Sequence, residues 1–279
     1  LPLSVNYRGI FYNKKLLEEE GYQIPSTYAE LIDTMQQIKK AGKLPIIFAD
    51  KDSWTIHQGW DAIDMSSRGS QDDFFQNVLN GDAFLYEDSI ALDSTRKFLE
   101  IRKYGQKQTV NTGYDEAVKK FANGEAYMFF QGNWAYPMIK KINPDIDLLF
   151  MPFPAYHENQ AKVVVKIDAT LGVSASCKHL EAVEQFLDYV FSKNVSEYYA
   201  DKAGAYSCIK SVDVEDSYAK AFTDSIRSGE FFLEEFAYET EKSDAINALF
   251  QNFISSPQRD TEKSFLKELN DLLIQQKGD

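Results

Sequence analysis

Two short stretches of this chain carry the side chains best suited to holding a ligand. Asp50 to Trp60 contains two of the three tryptophans, Trp54 and Trp60, among Asp50, Asp52, Ser53, His57 and Gln58. Gln131-Gly132-Asn133-Trp134 contains the third. A flat ring next to carboxylate, imidazole and amide groups covers an apolar face while its neighbours donate and accept hydrogen bonds. The patterns of bond-breaking chemistry are missing. His57, His157 and His179 are far apart, none in an HxxxH pair or beside a cysteine pair, so nothing in the sequence supports a zinc site. There is no GxGxxG, GxxxxGK[ST] or GxSxG. Gly172 to Ser176 ends in Ser where a nucleophile elbow needs Gly, so Ser174 reads as a strand-end serine. With 43 carboxylates, some pair must fall in any cleft, and a glycosidase-like pair carries no information.

Local signals indicate the elements that must position these residues. Val5 to Asn13 is rich in β-branched and aromatic residues and predicts a strand with a glycine kink. Lys14 to Glu20 predicts a short helix stopped by Gly21. Thr27 followed by Glu30 is a capping box, and Tyr28, Leu31, Ile32, Met35 and Ile38 recur at helical spacing up to Gly42. Leu44 to Ala49 predicts a buried strand, so Trp54 follows a strand end, where open α/β sheets place ligands. Trp54, flanked by Asp52 and Ser53, reads as a cleft residue, with a core ring as the alternative. Trp60, near Ile63, reads as core. Helices are expected over 74–81, 94–104 and 114–122, and a buried strand over Ala126 to Phe130. A glycine turn then leads to a helix starting near Trp134, whose free N–H groups face a ligand.

Leu148 to Met151 predicts a strand ended by Pro152-Phe153-Pro154, a stiff crossing as at a domain boundary. Strands at 163–166 and 171–173, an amphipathic helix at 180–191 and a short helix at 197–203 follow. A second crossing is expected after Gly204. The rest reads as helical, most clearly at 244–254 and 262–276 with a break near Pro257. The pattern is α/β with helix-rich ends and no internal repeat.

Composition narrows the partners. The 279 residues are 44% hydrophobic and 26% charged, which is globular. A net charge of -13 repels a phosphate backbone, so nucleic acid is excluded as a natural partner. No apolar run approaches the ~20 residues of a membrane helix. The start, Leu1-Pro2-Leu3-Ser4-Val5, has no Met and no charged leader, and reads as a chain cut in its middle. Cys177 and Cys208 are too few for a disulfide scaffold; two small buried side chains and one bridge are both open.

Four stretches together carry a resemblance. They are Gly9-Ile10-Phe11-Tyr12-Asn13-Lys14 with Leu16, Leu17 and Gly21; Pro25 to Leu31, with Tyr28 where Trp is usual; Phe121 to Ala126 with Met128 and Gly132-Asn133-Trp134; and Pro152-Phe153-Pro154, Leu171-Gly172-Val173 and the helix at Glu181. In order and spacing the chain resembles the extracellular solute-binding proteins of ABC importers, of the carbohydrate-binding type that includes maltose-binding protein. The likeness fades after Gly204.

The resemblance implies a periplasmic-binding-protein-like two-lobe fold. Residues 1–14 would be a first-lobe remnant, 15–151 the second (C-terminal) lobe, 152–204 a returning first-lobe segment and 205–279 the helical rest of the second lobe. The second lobe would be nearly complete. It also implies a non-enzymatic protein that needs no cofactor and works outside the cell, lipid-anchored or secreted. Its partners would be a carbohydrate and the importer's membrane subunits, with self-association through the incomplete lobe. Trp134 resembles a sugar-stacking position with Asn133 as polar partner, and Trp54 another platform with Asp52 as hydroxyl acceptor and His57 one turn on. Asp168, at the returning segment, and Tyr206, at the second crossing, complete the expected site. A non-sugar solute on the same scaffold and a glycoside-active enzyme are the alternatives.

Overall fold

The computed structural model describes residues 1–68, 73–154, 163–210, 212, 217–233, 240–256 and 261–274. In chain order the elements are β1 (Ser4–Asn13), α1 (Lys14–Glu19), α2 (Tyr28–Lys40), β2 (Leu44–Ile47), α3 (Trp54–Arg68), α4 (Phe74–Asn80), α5 (Ser89–Arg102) and α6 (Tyr114–Ala122). Then come β3 (Ala126–Gly132), a 3-10 turn (Asn133–Ala135), α7 (Tyr136–Ile142), β4 (Leu148–Met151), β5 (Val163–Ile167), α8 (Leu180–Val190) and α9 (Lys193–Ala203). The last are β6 (Tyr206–Ser207), α10 (Lys220–Ser228), β7 (Phe231–Leu233), α11 (Thr240–Ser255) and α12 (Glu262–Ile274).

β1 is the axis. Its C-terminal half pairs antiparallel with β3, from Arg8↔Gly132 to Tyr12↔Met128, and with β4, from Ile10↔Met151 to Asn13↔Leu148. Its N-terminal half pairs antiparallel with β5 (Val5↔Ile167, Tyr7↔Val165) and β6 (Ser4↔Ser207, Val5↔Tyr206). β2 joins β3 and β7 joins β5, both parallel. One ten-residue strand is thus shared by four ladders, and β4 and β5 follow each other along it, with the buried Phe153 between them.

The period-2 alternation of strand side chains sorts the core into two layers. Ile10, Tyr12, Ile46, Met128 and Phe130 face one side with α2, α3, α5, α11 and α12. Tyr7, Phe11, Ile47, Phe129 and Phe150 face the other with α6, α7 and α10. On that side the rings form a run: Phe11–Phe150 at 3.9 Å, Phe150–Phe222 at 4.7 Å and Tyr7–Phe222 at 4.4 Å between centroids. Because both faces are covered, β1 carries large apolar side chains on both, Tyr7 and Phe11 on one and Ile10 and Tyr12 on the other, as expected for a sheet between helix layers.

The capping box of α2 forms as the Thr27–Glu30 spacing predicts. Trp60 is core. Four details differ from expectation. α5 begins at Ser89 because the Asp88 side chain accepts from Ala91 N, a cap the spacing did not reveal. α9 begins at Lys193, with Ser192 ahead of it. Residues 171–173 form no strand; beside the N-terminus there is only a bridge between Pro2 and Thr170. The C-terminal part is not all helical: Phe231–Leu233 is a strand, too short to show a period. The break near Pro257 and the end of the last helix lie outside the described residues.

At Gly9 there is no room for a side chain. A Cβ there would stand 2.1 Å from the Met151 carbonyl oxygen and 2.9 Å from the Phe222 ring. Backbone and a stacked ring cannot both yield. Gly9→Ala is therefore expected to lower stability by about 1–3 kcal/mol or more, read from urea unfolding midpoints. An unchanged midpoint would mean that the contact between β1 and β4 is slack.

Candidate ligand-binding site

The loop between β2 and α3 is fixed at both ends. The Asp50 carboxylate accepts from Arg102 at 3.2 and 3.3 Å, and Thr55 Oγ1 donates to the Ala49 and Asp52 carbonyls. Asp52 Oδ2 accepts from the Tyr114 N–H at 2.6 Å. A carboxylate at a helix start is favoured by the free N–H groups and the dipole there. Asp52 therefore ties the start of α6 to the start of α3. It is chiefly a joint, where the sequence pointed to a hydroxyl acceptor.

This joint assembles three rings from three elements. Trp54 stands 5.3 Å from Tyr114 and 6.1 Å from Trp134, centroid to centroid, with both pairs tilted by over 50°. All three rings are half-buried. On the rings themselves and on the elements that carry them are polar atoms that are buried and hydrogen-bond to nothing among the described residues: Tyr114 OH, Trp134 Nε1, Gln131 Nε2 and, one turn beyond Trp54, Gln58 Oε1. Unpartnered buried polar atoms are costly; others, such as Tyr12 OH on β1, lie in the core. Burial, and secondarily Asp115, raises the Tyr114 phenol's pKa, so it stays a protonated donor.

Asn133 does not sit among these groups. It is buried, its Oδ1 accepts from Tyr7 N at 2.8 Å and its Nδ2 donates to the Gly204 carbonyl at 2.6 Å. The polar partner expected from the sequence is instead a clamp. It pins the turn after β3 to β1 and to the end of α9, and both ends of its amide are used on backbone.

His57 lies deeper. Its Nδ1 is 2.7 Å from Asn247 Oδ1 on α11. Beside it, Arg8 on β1 donates to the Gln58 carbonyl at 3.3 Å and pairs with Asp61 at 3.4 Å, both charges almost fully buried. Burial lowers the His57 pKa, Asp61 opposes the shift, and Arg8 and Lys166 reinforce it. Lys166 is lowered too, first by burial and then by Arg8.

Asp168 and Tyr206 are carried by β1 rather than by the ring group. Asp168 is exposed just past β5, with its N–H on the Ser4 carbonyl; partial burial raises its pKa and Asn6 opposes the shift. Tyr206 pairs opposite Val5 and packs on the second core layer. Among the described residues, neither hydrogen-bonds to or stacks on any of the three rings. Tyr238, which the last helical region offers as a further cleft residue, lies outside the described residues. Tyr114, Arg8, Asp61, Lys166 and Asn247 stand outside the site expected from the sequence. Tyr114 follows a glycine at a helix start, the same signal that marked Trp134.

Elsewhere, an open groove of about 1080 Å³ runs between the end of α5, residues 106–111 and the ends of α11 and α12. It contains none of the rings. Among the described residues no three His, Cys, Asp or Glu side chains gather as metal ligands, and no helix is long and apolar enough to cross a membrane. Cys177 and Cys208 are free thiols.

The sequence pattern of the family described as bacterial extracellular solute-binding protein matches residues 1–196. A multiple sugar-binding protein of Streptococcus mutans is 29% identical over 220 residues, covering 76% of this chain and 51% of that one. The melibiose/raffinose/stachyose-binding protein MelE of Bacillus subtilis is 20% identical over 227 residues, covering 79% and 53%. The fold is similar to that of RafE solved in complex with raffinose, with a TM-score of 0.83 at 23% identity, covering 99% of this chain and 73% of that one. The fold class is therefore the two-lobe binding-protein class. The chain spans about half the length of the curated relatives it matches.

His57 generates a pH signature. A histidine whose folded pKa is depressed binds fewer protons folded than unfolded, so it adds stability with rising pH and loses it as pH falls below the usual 6.5. Asp64, raised to about 6 by burial, slopes the other way between 3.8 and 6. The comparison must therefore be with a variant. Relative to His57→Gln, the parent is expected to lose stability between pH 7.5 and 5.5, by up to about 1.4 kcal/mol per pH unit. Urea midpoints at the two pH values test this, and parallel curves would contradict it.

Proposed function

The chain belongs to the bacterial extracellular solute-binding protein family, and we propose that it holds a mono- or oligosaccharide against Trp54, Tyr114 and Trp134, without breaking any bond. The observation that carries this reading is the ring trio with its four unpartnered buried polar atoms. Sugars present apolar C–H faces and alternating hydroxyls. The rings suit the faces, and the amides, phenol and indole N–H suit the hydroxyls. The charged groups nearby, Arg8, Asp61, Asp50 and Arg102, are engaged with one another, which favours a neutral ligand over an anion or a polyamine. Relatives that bind raffinose or melibiose give the same direction.

The lobe division follows β1. Ser4 to Tyr7 with β5, β6 and β7 would belong to one lobe, and Arg8 to Asn13 with β2, β3 and β4 to the other, hinged along the shared strand. Closure by hinge motion would create the face that the ABC importer's membrane subunits recognise. The working place would be outside the cytoplasm, secreted or held at the envelope by a lipid anchor.

The test is titration of the chain, or of a longer version, with raffinose, stachyose, maltose and chitin oligosaccharide by calorimetry. Trp134→Ala and Trp54→Ala are each expected to weaken the sugar that binds by about thirtyfold, or about 2 kcal/mol, with far-UV dichroism unchanged. A chain that binds none of the four sugars, with Trp134→Ala changing nothing, would sink the sugar reading. Binding of a charged solute instead would favour the non-sugar alternative, and turnover of a chromogenic glycoside the enzyme one.

Self-association has its own observation. α8 buries none of its residues: Leu180, Phe186 and Tyr189 are exposed, as are Val173 and Tyr198 nearby. An amphipathic helix with its apolar face in water is a surface awaiting cover. In this chain alone a second copy would supply it. Sedimentation velocity at micromolar concentration is expected to show dimers, and Phe186→Glu with Tyr189→Glu to return monomers. A parent that stays monomeric throughout would overturn this.

A further inference from the structure

Gly132 closes β3 in an extended conformation, φ -94° and ψ 166°, open to any residue. The backbone gives no reason for glycine. The reason lies one residue past its neighbour. A Cβ on Gly132 would stand 2.1, 2.2 and 2.4 Å from Cζ3, Cη2 and Cε3 of Trp134. The outer edge of the indole is folded back onto the end of its own strand and fills the volume that any other side chain would need.

The surroundings restrict how this overlap could be relieved. Asn133, between the two residues, is bonded at one end to Tyr7 N and at the other to the Gly204 carbonyl. Gly132 itself is in register with Arg8 on the central strand. The turn is therefore anchored to β1 and to the end of α9, and the softer coordinate is the indole. It has the Trp54 ring on one side, 6.1 Å away, and its own Nε1 is buried with no partner among the described residues. A ring pushed off Gly132 must change its angle to Trp54.

We infer that Gly132 is a positioning residue of the binding site: its absent side chain is the slot in which the Trp134 indole lies, and the slot sets the face that Trp134 presents to a sugar. This rests on the reading of Trp134 as a stacking platform. Gly132 touches no ligand itself. Any residue larger than glycine would re-aim the ring, altering affinity without altering the sheet.

A double-mutant cycle with raffinose tests this in the intact chain, using Gly132→Ala, Trp134→Ala and the double variant. Gly132→Ala is expected to weaken raffinose about tenfold in the parent and less than about twofold in the Trp134→Ala background, because the coupling vanishes with the ring. Equal losses in both backgrounds, or none in the parent, would overturn the inference. If Gly132→Ala fails to fold while the double variant folds, the slot is supported; if both fail, the backbone needs the glycine and the inference falls. Tryptophan emission and acrylamide quenching give a reading independent of sugar. The difference between each protein and its Trp134→Ala counterpart isolates the third tryptophan, and it is expected to become more quenchable in Gly132→Ala. A parent that binds no sugar but shows this change defeats the sugar reading and keeps the slot. An unchanged Trp134 signal defeats the slot, whatever the affinity.

Discussion

The hydrogen-bonding capacity of one strand is the constraint on which the rest depends. β1 has only ten residues, yet four strands pair along it, two on each half. A one-residue slip would turn every side chain over. Tyr7 and Phe11 would leave the ring run, and Ile10 and Tyr12 would leave the opposite layer. It would also misplace Arg8, the register partner of Gly132, and with it the turn that carries Trp134. Gly9 sits at the middle of this strand, where the Met151 carbonyl comes closest. The glycine that reads in sequence as a kink is the point where β4 approaches too closely for a side chain.

The ring group is built from this axis by two polar joints, and neither is itself a ring. Asp52 brings α6 to α3, so Tyr114 meets Trp54. Asn133 fastens the turn after β3 to β1 and α9, so Trp134 comes to the same place. The sequence marked both residues for ligand contact, because an exposed-looking Asp or Asn beside a Trp has that composition. What decides their use is whether a backbone N–H without a partner lies within reach. Helix starts and strand ends supply such groups, and a buried one left unbonded costs about 1–3 kcal/mol. Both side chains go to the backbone because it would otherwise lack a partner.

The fold was legible where the signal was local and periodic. Thr27 and Glu30 announce α2, the continuous apolar run of 126–130 announces β3, and Trp60 reads correctly as core from Ile63 beside it. What escaped was set by distance along the chain. The three residues of β7 become a strand only by lying beside β5. The charged group Arg8, Asp61, His57 and Lys166 draws on three elements and spans some 160 positions. Of the expected site, Trp54 and Trp134 do meet, His57 is buried against Asn247 and the charge pair, and Asp168 and Tyr206 stand along β1. Tyr114 belongs with the rings and was passed over, since a tyrosine at a helix start reads equally as an ordinary amphipathic position.

The charge distribution argues further about the ligand. The whole chain carries -13, yet the strongest charges near the rings are spent internally: Asp50 on Arg102, Asp61 on Arg8, Asp52 on a helix start. Pairing a buried charge is a matter of avoiding a large desolvation cost, and it removes that charge from recognition. The buried groups of Gln58, Gln131, Trp134 and Tyr114 that hydrogen-bond to nothing among the described residues are an amide oxygen, an amide nitrogen, an indole N–H and a phenol. None changes charge near neutral pH. Read as a sugar site, that residue set would grip through directional neutral hydrogen bonds and ring faces, and its selectivity would come from the stereochemistry of hydroxyls and not from net charge. That makes ring angle the sensitive coordinate. An amide can follow a displaced hydroxyl by rotating about its side-chain bonds, but an indole held against a strand end and a second indole can present only the face its slot allows.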